Sequence, residues 1–126
     1  MLAAKGFTGG GSEIYAISDT NWHYFAGTFN GTDWKAYVDG NNPVIKNSPA
    51  TLNISLNNLF IGSRSRDTSF WSGSIDDVRI YEKAVPVSQV HQNYFSGLNR
   101  LFANQNIPKQ EYKNRLAELT GAFAEK

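Results

Sequence analysis

Apolar and polar positions along this 126-residue chain change their period once, close to Lys83. Before that point, glycines and Asn/Asp-rich turns cut the sequence into short apolar runs, the punctuation of antiparallel strands. In residues 22–29, WHYFAGTF, Trp22, Tyr24, Ala26 and Thr28 alternate with His23, Phe25, Gly27 and Phe29. Both sets carry aromatics, which predicts a strand inside a sheet rather than at its edge. NGTD at 30–33 supplies a turn, residues 34–38 return as a strand, and Asp39-Gly40 favours a tight hairpin into a short strand at 43–46. That succession predicts a meander. Residues 2–4, 14–17, 59–62 and 73–81 read as further strands, with GFTGGGSE as the connection after the first of them.

Beyond Lys83 glycine becomes scarce, and Val87, Val90, Tyr94, Leu98, Leu101 and Phe102 recur near the helical period. Ser88, placed after Pro86, is the expected N-cap. NQNIP at 104–108 interrupts the pattern, and Pro108 suits the first turn of a second helix carrying Tyr112, Leu116 and Leu119 on one face. The expected organisation is a β-sandwich over residues 1–86 followed by a helical hairpin over 87–126. Two helices of this length bury too little on their own, so their apolar stripe must dock elsewhere. A second copy of the chain is the preferred partner, giving an expected homo-oligomer.

Composition narrows the function classes. Aromatics at 13% against 18% charged residues, with 11 glycines, fit a β-rich domain with a polar rather than ionic surface. A net charge of +1 and no basic stripe argue against nucleic acid as a main partner. The absence of cysteine removes disulfides, thiolate catalysis and Cys-ligated zinc together. The chain as given has neither a signal-peptide pattern nor a run of apolar residues long enough to span a membrane.

The candidate chemistry centres on WSGSIDDVRIYEK, residues 71–83. Strand alternation puts Asp76, Val78 and Ile80 on one face and Ile75, Asp77, Arg79 and Tyr81 on the other. Neighbouring acids on opposite faces cannot flank one glycosidic bond, so a two-carboxylate hydrolase built on Asp76 and Asp77 is excluded. Asp77 and Arg79 are expected to form a structural ion pair. Asp76 is the candidate calcium ligand, because a carboxylate at the start of an apolar face needs a cation, an amide or water. Ligand contacts are expected from Trp34, Tyr37, Trp71 and Arg79, with Arg64 and Arg66 on the polar loop SRSRDTS and Phe70 as a further aromatic. His23 and His91 lack the Ser or Cys context of an activated nucleophile and read as structural or solvated. GGG at 9–11 lacks the following Lys-Ser/Thr of a phosphate loop.

Taken in order, NWHYFAGTFNGTDWKAYVDG, LFIGSRS and FWSGSIDDVRIYEKAVPVSQV resemble the second half of a laminin-G-like, concanavalin A-like jelly roll. The resemblance runs from Asn21 to about Val90. It implies an antiparallel β-sandwich, incomplete within this stretch or completed by another chain, because nothing before Ala4 corresponds to the family's opening strands. It also implies a non-catalytic extracellular or cell-surface module that binds glycan or protein, often with structural calcium, for which Asp76 is the matching acid. The alternatives are an assembly subunit of a surface filament or particle and, less favoured, a glycoside hydrolase of the related sandwich class. LNRLFANQNIPKQEYKNRLAEL, residues 98–119, is similar to a short helical-hairpin motif found at the C-termini of bacterial proteins.

Overall fold

The computed structural model of the chain describes residues 19–47, 58–63, 66–68 and 70–124. The predicted strands at 2–4 and 14–17, the connection between them and Arg64 lie outside the described residues.

Three strands form an antiparallel sheet in the order β1 (Phe25–Phe29), β2 (Asp33–Val38), β3 (Val44–Asn47), the predicted meander. In the turn between β1 and β2, the side-chain carbonyl of Asn30 accepts hydrogen bonds from the amides of Thr32 and Asp33. Between β2 and β3, Asp39 and Gly40 both adopt positive φ, 51° and 71°, and Asn41 N–H closes the turn on Val38 C=O at 3.0 Å. Two consecutive positive φ values are what a type I′ hairpin turn requires, and Asp-Gly is a favoured pair for it. Gly40 is also fixed by space: an added Cβ would lie 2.8 Å from the Tyr94 ring and 2.9 Å from Leu119.

Strand β1 begins at Phe25 rather than at Trp22. The residues before it bond differently: Tyr24 N–H donates to the Asp39 carboxylate, and Trp22 C=O accepts from Arg115. Two predicted strands are corrected. Residues 58–62 carry no ladder, and the chain there is held by an isolated bridge between Ser63 and Phe70 and by Trp71 N–H donating to Gly62 C=O. Residues 76–81 are also irregular, because Asp77 takes φ 54°, a left-handed conformation that breaks strand alternation.

Helix α1 (Val87–Ala103) is capped two residues earlier than predicted, by Pro86, whose extended backbone serves as the N-cap without a side-chain bond. Ser88 therefore lies inside the first turn and does not cap it. At the other end, Gln105 N–H bonds Phe102 C=O and Asn106 N–H bonds Leu101 C=O, the paired closure of a Schellman motif. Its left-handed position is Gln105, at φ 58°, where glycine or asparagine is usual. Pro108 then accepts the first helical bond of α2 (Lys109–Ala124) from Tyr112 N–H.

Val90, Tyr94, Leu98 and Leu101 line the buried stripe of α1 at helical spacing. Tyr94, Leu98 and Leu101 form a core with Ile107 and Leu119, against which Trp22, Tyr24, Tyr112 and Leu116 pack. Each fully buried side chain of this size contributes about 1.5–3 kcal/mol. The core of the hairpin is thus covered in part by Trp22 and Tyr24, which lead into β1. Of the stripe expected to drive self-association, Val90, Tyr94, Leu98 and Leu101 are buried within the chain's own fold, while Phe102 stays 37% exposed.

Candidate functional site

The two faces of the sheet differ in what covers them. Register pairs Ala26 with Tyr37 and Thr28 with Lys35, placing Tyr24, Ala26, Thr28 and Tyr37 together on the face that meets α1 and the segment before it. Phe29 and Trp34 are direct partners in the ladder and fall on the opposite face, with Gly27 and Ala36 two positions along. Trp34 is 45% exposed and stacks on Phe29 with ring centroids 4.4 Å apart and planes 19° from parallel. Packing against Phe29 restrains the indole while leaving aromatic surface exposed. The floor beside it is shallow, since an added Cβ at Gly27 would meet nothing nearer than Phe25 at 4.0 Å.

Tyr37 is a correction. Only 3% of it is exposed, so it cannot stack on a ligand, and burial pushes its phenol above the ordinary value. Alternation separated it from Trp34, but nothing in the strand pattern showed which face the helix would take.

On the covered face, a cleft of about 200 Å³ opens between β1 and residues 77–85, lined by Tyr24, Thr28, Asp77, Arg79, Tyr81 and Asn93 among others. Arg79 grips Asp77 with two bonds, Nε to Oδ1 at 3.0 Å and Nη2 to Oδ2 at 3.1 Å, and Arg100 of α1 adds a third at 3.1 Å. Arg79 also donates to Asn93, whose amide in turn donates to the Tyr81 hydroxyl. Burial pushes the Asp77 carboxyl upward, but the hydrogen bond and charge of Arg79, followed by the charge of Arg100, hold it below the usual carboxylate range. Arg79 is held upward, first by its hydrogen bond to Asp77. Asn93 and Arg100 escaped the sequence reading because both arrive from the helix, 14 and 23 positions from the residues they contact.

The adjacent acid behaves differently from the strand expectation. Asp76 turns its carboxylate back on the chain, accepting the N–H of Asp77 at 2.8 Å. Among the described residues no three His, Cys, Asp or Glu side chains converge to hold a metal ion, and Asp77 is committed to two guanidinium groups. Arg66 lies exposed on its loop, and Phe70 beside it is exposed. Trp71 is half-buried, with its Nε1 enclosed and unpartnered. The structure does not bring these residues together with Trp34 or Arg79 in one described cleft.

A profile of the concanavalin A-like lectin/glucanases superfamily matches residues 6–91. The chain belongs to this superfamily. Its laminin-G-like character, expected from the motifs at 21–40 and 73–81, rests on that match. The crystal structure of residues 221–444 of an S-layer domain-containing protein from Clostridium thermocellum is similar in fold, with a TM-score of 0.54 and 22% identity. That likeness covers 64% of this chain and 42% of the other, so the chain spans less than half of its structural neighbour. No curated protein matches the chain. Among the described residues, no helix is long and apolar enough to cross a membrane.

Proposed function

We propose that this concanavalin A-like domain is a non-catalytic recognition module that takes glycan on the sheet face carrying Trp34. The observation that supports the reading most directly is the exposed indole of Trp34 stacked on Phe29 above the open floor at Gly27. A sugar ring presents an apolar C–H face that suits such a surface, with polar groups left at the rim. The S-layer domain-containing neighbour supports a cell-surface setting through its fold, and the Asp77–Arg79–Asn93 network serves in this reading to brace residues 77–81 against α1.

A glycan array followed by calorimetry on positive sugars, with and without calcium, tests this. Trp34→Ala should weaken binding at least tenfold, about 1.4 kcal/mol, while Tyr37→Phe, buried on the other face, should leave it unchanged. No binding to any sugar in either condition would sink the glycan reading. A second reading, an assembly subunit of a surface layer, is favoured by the exposed apolar side chains of Leu59, Ile61, Phe70 and Ile80. Light scattering on the same samples discriminates the two: mass rising with concentration, without sugar binding, favours assembly.

A further inference from the structure

His23 is held at both ring nitrogens by carboxylates from different parts of the chain. Nδ1 lies 2.6 Å from Oδ2 of Asp39, and Nε2 lies 2.8 Å from Oδ1 of Asp19. A carboxylate oxygen can only accept, so satisfying both contacts requires two N–H donors and hence the imidazolium. A neutral ring has one N–H and would turn a bare lone pair on one of the two acids.

Neither acid is free to swing away. The other oxygen of Asp39 accepts Tyr24 N–H at 2.9 Å, while Asp39 N–H donates to Tyr24 C=O at 2.9 Å. Asp19 also accepts Asn21 N–H at 2.8 Å. The His23 and Asp39 side chains are only 13% and 16% exposed, so water competes weakly for the bond between them. The charged and titratable groups around the trio come from both helices. Arg115 of α2 donates to Trp22 C=O at 2.7 Å and pairs with Glu111 at 2.7 Å; Tyr94 of α1 senses Asp39, and Glu118 of α2 acts on Tyr94.

We propose that His23 is a proton-operated latch: as the imidazolium it fastens residues 19–23 to the Asp39-Gly40 turn, beneath which Tyr94 and Leu119 pack, and on losing its proton it releases one of the two links. Burial pushes the ring's pKa down, but the hydrogen bonds to Asp19 and Asp39, helped by their charges, outweigh it and raise the value above that of a free histidine. Asp19 is lowered in turn, first by its bond to His23. Because the folded value exceeds the unfolded one, the latch's stabilisation is complete below about pH 6.5 and fades as pH rises through the folded value.

The test is an NMR titration of the full chain, following the imidazole Cε1–H signals of His23 and His91, with thermal unfolding measured across the same pH range. His23 should titrate above about 6.5, the value of a free histidine, and Asp19→Asn should lower its midpoint. The unfolding temperature of the native chain should fall as pH rises through the His23 midpoint, and that fall should be absent in His23→Gln. A His23 midpoint at or below the free value, or one unmoved by Asp19→Asn, overturns the proposal. Asp19 is half-exposed at its side chain, so this variant reports even if His23→Gln does not fold.

Discussion

The helical hairpin and the stretch from residue 58 to residue 81 both carry many apolar side chains, and the fold uses them in opposite ways. In α1, Val90, Tyr94 and Leu98 are fully buried, whereas Leu59, Phe70 and Ile80 are 72%, 68% and 73% exposed. The family match spans residues 6–91 and takes in both the exposed stretch and Trp22 and Tyr24, which pack against the core built by the hairpin. What ties the second region to the helix is polar: Asp77 and Arg79 reaching Arg100 and Asn93.

The largest expected effect separates the two regions directly. Leu98→Ala should cost about 2–5 kcal/mol in denaturant unfolding, because its neighbours cannot collapse fully into the space left. Ile80→Ala, at an exposed position, should stay within about 0.5 kcal/mol. Equal losses at the two sites would erase the distinction. A smaller effect probes the seam between turn and hairpin: Gly40→Ala should destabilise by about 1–3 kcal/mol, combining positive φ with contacts under 3 Å to Tyr94 and Leu119. An unchanged midpoint would mean that the turn does not press on the helices. The smallest effect is a gain. Gln105→Gly should stabilise by about 0.5–1 kcal/mol, because glycine adopts the left-handed position of the α1 C-terminus without strain. Calorimetric unfolding would show this as a rise in melting temperature.

The features legible in the sequence are those set by local rules. Asp39-Gly40 announced its hairpin because few pairs tolerate two positive φ values, and α1 announced its buried face by recurring at Val90, Tyr94, Leu98 and Leu101. Residues 73–81 misled because their apolar alternation carries no sign that Asp77 will turn left-handed, a conformation aspartate reaches more easily than most residues. The acids of the His23 trio were visible in outline, with Asp19 four positions before the histidine and Asp39 in the turn, but their convergence depends on how residues 19–24 leave the sheet. Of the site residues, Trp34 stands as an exposed aromatic stacked on its ladder partner Phe29, while Tyr37 lies on the opposite face, bordered by residues 84–87, and is buried.

The bond from Arg115 to the carbonyl of Trp22 joins residues 93 positions apart. During synthesis the β1–β2 hairpin can form early, but Tyr94 and Leu98 have no complete cover until Leu119 has left the ribosome and α2 has folded back onto them. Between the emergence of Tyr94 and that of Leu119 the growing chain therefore carries exposed apolar surface.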